Sequence, residues 1–297
     1  RQLVETHGVR VVKADFCQQE AFTLLDRHYD DLYMLAALVG VNKVIEHPDE
    51  TIRVNTALTL NTLEWLRSGT CQNVTFASSS ECYAGTTDAF GYQVPTAEDV
   101  PLCVQDIKHP RFTYAITKML GESGFLAYAE KCDFRCTVVR YQNIYGPRMG
   151  FKHAIPHLIE RFWRGECPFL IYGAEQTRAF CYLSDAAEGT VLATERAGGR
   201  SEVYHIGAMD EVTIETVTKA VGSIMGFQGN YVTAPTYPGS VSRRCPNTTK
   251  AMTELGYTPR VGLQQGLEQT VDWYLRFFRS GSPIHDGGFK APEALGK

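Results

Sequence analysis

The 297-residue sequence contains no long basic run and no long apolar run. At most two Lys or Arg residues stand together and the formal net charge is −4, so an electrostatic grip on nucleic acid is not expected. No apolar stretch approaches the roughly 20 residues that a membrane-spanning helix requires. These absences exclude nucleic acid and the membrane as predicted partners.

The sequence also lacks closely spaced cysteine pairs. Its nine cysteines are odd in number and form no C-x-x-C motif, a pattern typical of free, mostly buried thiols. Such thiols indicate a reducing compartment, and we expect the protein in the cytoplasm. Cys132 and Cys136 have no neighbouring ligands, and Pro156 separates His153 from His157 with no third ligand near, so no metal site is predicted.

The first half of the chain alternates apolar, often β-rich runs with helical patterns. The apolar runs are continuous, which is typical of strands buried on both faces of a parallel sheet. Small and polar residues stand at their carboxyl ends, where ligands bind in such sheets. The apolar runs cover residues 9–16, 30–40, 73–80 and 134–146, and the helical patterns cover residues 18–28, 49–67 and 113–132.

The second half has a different character. After Pro147, Gly and Pro are denser and strand signals become isolated. We therefore predict a sheet domain over residues 1–147 and a smaller lobe over residues 148–297, from which about 201–208 return to the sheet.

Tyr114 and Lys118 lie four residues apart in a predicted helix and therefore on one face. A phenol is a poor base, but a lysine ammonium beside it favours the phenolate. Such a pair can take a proton from an alcohol hydroxyl while a hydride leaves the same carbon. Alone, the pattern is a weak signal, and a surface lysine packed along a tyrosine is the alternative interpretation.

The serine run 78–80 and Glu81 strengthen the catalytic interpretation. They follow a predicted strand, where a hydroxyl can hydrogen-bond the oxygen that the tyrosine deprotonates. Glu81 is a potential second base. A polar turn after a strand is the alternative interpretation.

Six motifs occur in one order between about residues 9 and 275. They are SSSECY, PRFTYAITKMLGE, VVRYQNIYGPRMG, LIYGAEQTRAFCYLSD, YHIG and RRCPNTTKAMTELGYTPRVGLQQGL. Together they resemble the extended short-chain dehydrogenase/reductases, and among these the NAD-dependent nucleotide-sugar epimerases, dehydratases and decarboxylases. The resemblance implies an α/β fold with a Rossmann-type doubly wound parallel sheet and a smaller C-terminal substrate lobe.

The resemblance also implies roles for individual residues. Ser79, Glu81, Tyr114 and Lys118 match catalytic positions, with Lys118 lowering the pKa of the tyrosine. The positions implied for cofactor binding are Asp15, Phe16, Leu35, Ala36, Ala37, Asn55, Ser78, Tyr114, Lys118 and Tyr141. The positions implied for binding a nucleotide-diphosphate sugar are Ser79, Ser80, Glu81, Asn143, Tyr172, Arg178 and Arg244, and arginine suits phosphate because its fork pairs bidentately with phosphate oxygens.

One departure from the family is large. The G-x-x-G-x-x-G turn that holds the cofactor pyrophosphate does not occur in the chain. Counting back from Asp15, roughly the first strand, first helix and second strand are absent, and we expect a longer natural chain rather than a cofactor-free variant. The family subtype implies tightly bound NAD, with NADP as an open alternative.

Several functions remain open at this point. Glu81 favours a 4,6-dehydratase or a uronic-acid decarboxylase that acts through a 4-keto sugar, because simple 4-epimerases usually carry a small or hydroxyl residue there. A 4-epimerase is the alternative, and a non-catalytic sugar-nucleotide-binding protein is an alternative of another class. The resemblance further implies a homodimer whose four-helix interface is formed by residues 49–67 and 113–132.

Overall fold

The computed structural model describes residues 6–197, 201–236 and 240–281. Its strands are His28–Met34 (β1), Thr70–Ser79 (β2), Arg135–Tyr141 (β3), Ile144–Tyr145 (β4), Phe169–Tyr172 (β5), Thr177–Ala179 (β6), Cys181–Tyr182 (β7), Glu202–Ile206 (β8), Glu211–Thr213 (β9), Tyr231–Ala234 (β10) and Arg243–Arg244 (β11). Its α-helices are Val41–Glu46 (α1), Pro48–Ser68 (α2), Ala84–Phe90 (α3), Thr113–Lys131 (α4), Ala154–Trp163 (α5), Leu183–Arg196 (α6), Ile214–Ile224 (α7), Thr249–Leu255 (α8) and Leu263–Arg279 (α9).

The central sheet has four parallel strands in the order β1-β2-β3-β8. Successive side chains of β3 point to opposite faces, so Val138 packs in a core with Phe76 and Phe125, whereas Val139 packs in a second core with Tyr204 and Ile206. Helices α2 and α4 cover the first face, and α6 and α8 cover the second. The predicted α/β class with a parallel sheet covered on both faces is confirmed.

The second lobe has its own core. Helices α5, α7 and α9 pack together with the parallel pair β5 and β10 around an aromatic cluster that includes Phe162, Phe169 and Tyr274. Within this half of the chain, β8 leaves the lobe and pairs with β3 in the central sheet. The exact domain boundaries stay a prediction.

Two predicted elements are wrong. Residues 9–15 form no strand, and Val9 and Val11 are exposed, because none of the four strands of the described sheet pairs with this segment. The helical pattern over 18–28 yields only a 3₁₀ turn at Gln19–Leu24, after which His28 already begins β1. The helices predicted over 49–67 and 113–132 are confirmed as α2 and α4.

The structure also describes the cysteines, the apolar character of the helices and the groups that could hold a metal ion. All nine cysteines lie in the described residues as free thiols, five of them buried. None of the helices in the described ranges has the length and apolar composition that crossing a membrane requires. Within the same ranges, no three His, Cys, Asp or Glu side chains are grouped to hold a metal ion.

Candidate active site

A cavity of about 770 Å³ opens at the carboxyl ends of β1, β2 and β3. Ser79 ends β2, and Tyr114 and Lys118 stand one turn apart near the start of α4. All three line the cavity, and the Ser79 hydroxyl hydrogen-bonds the Tyr114 phenol. The fold therefore brings a hydroxyl, a phenol and an ammonium from two elements to one wall.

Burial dominates the ionisation of the phenol and the ammonium. Burial raises the pKa of Tyr114, and only the Ser79 hydrogen bond acts to lower it. Burial also lowers the pKa of Lys118 to about 8. Lys118 Nζ donates to the Ala77 carbonyl at 2.6 Å and lies 5.7 Å from the centroid of the Tyr114 ring. Lys118 is not among the groups that shift the phenol pKa, since its ammonium points to the backbone of β2, and its role in lowering that pKa stays a prediction.

Glu81 follows Ser79 in a 3₁₀ turn whose first residues are capped by the Ser79 hydroxyl. Arg244 Nη1 donates to Glu81 Oε1 at 2.6 Å, and Arg111 Nη2 lies 3.7 Å from Glu81 Oε2. Burial works to raise the pKa of Glu81, but Arg244, Arg111 and Arg178 outweigh it, and the pKa is lowered. Glu81 is thus an ionised carboxylate held by guanidinium groups inside the cavity.

Comparison with known proteins identifies the family of the chain that carries this site. The model of the NAD dependent epimerase/dehydratase family matches residues 1–207. A UDP-N-acetyl-alpha-D-glucosaminuronate decarboxylase of Bacillus cytotoxicus is 32% identical over 280 residues, which cover 91% of this chain and 84% of that protein. The chain belongs to the NAD-dependent epimerase/dehydratase family.

Solved structures agree with this assignment. A UDP-glucose 4-epimerase of Thermotoga maritima, solved with UDP-glucose, superposes with a TM-score of 0.75 at 28% identity over 88% of this chain and 81% of that one. A UDP-glucose 4-epimerase of Thermus thermophilus, solved with NAD, gives a TM-score of 0.74 at 26% identity over 91% of this chain and 86% of that one. The predicted Rossmann-type fold, the NAD dependence and the assignment as an enzyme are confirmed, and the non-catalytic alternative loses its support.

The cavity fits the nicotinamide end of the NAD that this family uses. Apolar side chains of Leu35, Ala37 and Val191 line it together with the polar groups of Lys118 and Tyr114. A buried ammonium and a phenol are suited to hold ribose hydroxyls beside an apolar ring. Leu35, Ala37, Tyr114 and Lys118 would therefore hold that half of NAD.

The other predicted cofactor residues divide into two groups. Ser78 and Tyr141 line the cavity, and Tyr141 hydrogen-bonds Thr190 at 2.7 Å. Asp15, Phe16, Ala36 and Asn55 are not among its lining residues.

The structure gives three of these outlying residues other neighbours. Asp15 is exposed, and the backbone N–H of Cys17 bonds its carboxylate and lowers its pKa. The Phe16 ring packs edge-on against Phe22. Asn55 is buried and bonds both the N–H and the carbonyl of Leu38, so it fixes the segment that follows β1.

The predicted substrate residues also divide. Ser79, Ser80, Glu81, Asn143 and Arg244 line the cavity. Tyr172 and Arg178 are not among the lining residues: the Arg161 guanidinium lies 5.5 Å from the Tyr172 ring, and Arg178 donates to the carbonyls of Thr177 and Val241.

Sequence reasoning missed several lining residues, namely Tyr33, Arg111, His153 and Thr190. Arg111 carried a signal, because it stands three residues before Tyr114 in the PRFTY segment and on the 3₁₀ turn that precedes α4. Thr190 carried none, since only the packing of α6 against the sheet brings it to Tyr141.

Proposed function

We propose that the chain is a NAD-dependent nucleotide-sugar decarboxylase, which acts on a nucleoside diphosphate uronic acid through a 4-keto intermediate. The observation that carries the proposal is the position of Glu81, held by Arg244 and Arg111 beside the pair of Ser79 and Tyr114. Arg244 and Arg111 pair with Glu81, and a sugar carboxylate bound in the cavity can share these guanidinium groups with it. The decarboxylase relative, 32% identical over 91% of the chain, adds support.

The first step is the oxidation of the sugar at C4. Tyr114 must first lose its own proton, against the effect of burial. As a phenolate it accepts the proton of the C4 hydroxyl, and Ser79 donates a hydrogen bond to the same oxygen. With a pKa of about 8, Lys118 is mostly charged at neutral pH and stabilises the negative charge in the site. NAD, when bound, supplies the acceptor for the hydride that leaves C4.

The second step breaks the bond between C5 and C6. A C6 carboxylate is then β to the C4 ketone, so CO₂ leaves and its electron pair moves through C5 to O4 as an enolate. Ser79 and the protonated Tyr114 stabilise that oxygen by hydrogen bonds. C5 takes its proton from water, because Glu81 is ionised and has none to give. The hydride removed from C4 in the first step then returns to C4, and Tyr114 returns its proton to O4.

A 4,6-dehydratase is the second candidate, and the presence of the Glu81 carboxylate in the lining of the cavity favours it. A carboxylate beside the sugar can act as a base, and its pairing with Arg244 and Arg111 makes it a weaker one. It can take the C5 proton made acidic by the C4 ketone and pass that proton to the C6 hydroxyl, which leaves as water. A 4-epimerase needs neither step and is the third outcome of the test.

Product masses separate the three reactions. The full-length protein with NAD is incubated with UDP-, dTDP- and GDP-linked hexoses and uronic acids. We expect a uronic acid to lose the mass of CO₂. Loss of the mass of water from a hexose assigns the dehydratase, and an unchanged mass with altered stereochemistry assigns the epimerase and overturns the Glu81 argument. Tyr114→Phe is the control and should abolish each product.

We also propose that the protein forms a cytoplasmic homodimer through α2 and α4. Both helices pack against the sheet with one face, yet Ile52 and Leu60 of α2 and Leu120 of α4 are exposed apolar residues. The nine free thiols suit a reducing compartment.

A further inference from the structure

A buried ion pair lies directly beneath the candidate site. Arg140 of β3 donates from Nε to Glu122 Oε1 at 2.9 Å and from Nη2 to Glu122 Oε2 at 2.8 Å. Both side chains are 5% exposed. The third guanidinium nitrogen, Nη1, donates to the Glu98 carbonyl at 2.8 Å. Such a two-fold bonded pair is rigid, because its geometry is fixed at both ends.

This pair is connected to each element that carries a site residue. Glu122 stands on α4 one turn after Lys118, and therefore on the same face of the helix. The hydroxyl of Ser78, which precedes Ser79 on β2, donates to Glu122 Oε1. Arg140 immediately precedes Tyr141 on β3. The carboxylate of Glu122 thus joins the helix of Tyr114 and Lys118 to the strand ends that carry Ser79 and Tyr141.

We propose that Glu122 and Arg140 are positioning residues, which hold Lys118 and Ser79 in one arrangement and supply the buried negative charge that keeps Lys118 an ammonium. The expected effect on turnover rests on the proposed function. The expected effect of Glu122 on the ionisation of Lys118 does not, because it can be measured on the protein without substrate. The pair is stabilising only while both partners are present, since a buried charge without its partner is costly.

The groups around Lys118 show how the charge of Glu122 affects the pKa of the lysine. Burial lowers the pKa of Lys118 to about 8, and Cys82 and Glu122 oppose that shift. Tyr114 and Phe76 present their rings to the ammonium, at 5.7 and 4.9 Å from its nitrogen. Burial raises the pKa of Cys82 to about 12, so that thiol is neutral at physiological pH. Glu122, paired with Arg140, is therefore the carboxylate among the groups that favour the charged amine.

Glu122→Gln tests the proposal. We expect the titration midpoint of Lys118, read from the ¹³Cε shift of labelled lysine, to move to lower pH. We also expect kcat to fall about tenfold or more at neutral pH with KM nearly unchanged, and the pH profile of kcat to move with the lysine midpoint. Glu122→Asp keeps the charge and should restore most of the midpoint.

Glu160→Gln is the matched control. Glu160 is also buried and paired, with Arg164 of the second lobe, so its loss costs stability without touching Lys118. If the Glu122→Gln variant does not fold, the double variant Glu122→Gln/Arg140→Gln is used instead, because it removes both charges and leaves no unpaired ion. An unchanged Lys118 midpoint in a folded Glu122 variant overturns the proposal. If the wild type makes no product from any nucleotide sugar, the proposed function fails while the titration still reports on Glu122.

Discussion

Lys118 and His205 are buried and Tyr114 is half-buried, and the loss of water around each group shifts its pKa so that the neutral form is favoured. For Tyr114 and Lys118, this shift affects the chemistry of the cavity. His205 lies near the end of β8, outside the residues that line the cavity, and its burial affects stability instead.

The burial of His205 leads us to expect that the protein loses stability in acid. Burial first, and the charge of Arg140 next, lower the pKa of His205 from 6.5 to about 3. The unfolded chain binds a proton below pH 6.5, whereas the folded chain does not until about pH 3, so folding becomes less favourable as pH falls through this window. Between pH 7 and pH 5 we expect His205 to contribute a loss of about 2 kcal/mol in the free energy of unfolding.

Urea unfolding of His205→Gln at both pH values measures this contribution. The difference between the two pH values should shrink by about that amount, whatever the variant costs at pH 7. Some slope should remain, since burial also lowers the pKa of His157 to about 4. His47→Gln, at an exposed position, is the control. A His205 variant with the slope of the wild type would contradict the account.

At the level of elements, the close approach of α4 to β2 positions the site. Gly121 faces the Phe76 ring of β2, and a Cβ at this position would stand well inside van der Waals contact with that ring. Phe76 cannot readily give way, because it is buried and stacks on Phe125 at 4.8 Å. The same ring lies below the Lys118 ammonium.

Gly121→Ala should therefore lower the free energy of unfolding by about 1–3 kcal/mol, as overpacking of a filled core does. It should also lower kcat, because Phe76 would be pushed toward Lys118. Gly124 lies about one turn further along α4, and the Cβ of an alanine there would meet only a terminal methyl of Leu63, at 2.9 Å. This control should stay within about 1 kcal/mol of the wild type, since alanine also favours the helix. Equal effects of the two substitutions would show that the Phe76 contact is unimportant.

At the level of the whole molecule, α2 and α4 pack against each other and form one layer over the sheet. Leu60 is 52% exposed and Leu120 is 43% exposed, although the other faces of both helices are buried. A second copy of the chain that presents the same two helices would cover both leucines.

Light scattering at micromolar concentration should accordingly give twice the mass of the chain. Leu60→Glu combined with Leu120→Glu should give the mass of a monomer, because the charges would be buried without partners. Met252→Glu changes a similarly exposed residue on α8 and should leave the mass unchanged. A monomeric wild type would refute the proposed interface.

The outcome for individual segments shows where sequence reasoning succeeds. The helices α2 and α4 were predictable because their apolar positions recur at three and four residues over many turns. The strand expected at residues 9–16 carried an equally apolar pattern, but a strand forms only against a neighbour, and no described strand pairs with it. Asp15 and Phe16 matched a family position, yet the structure places them outside the lining of the cavity.

The sequence by itself determined the fold class and which residues are candidates for the central catalytic set. Continuous apolar strands require cover on both faces, and four residues of helix bring Tyr114 and Lys118 to one side. Only the tertiary structure decided the ionisation of the site. Glu81 gains its partner Arg244 from 163 positions away, and Glu122 meets Arg140 across two elements. Burial and the charges of distant residues determine a pKa, and the local sequence specifies neither of them.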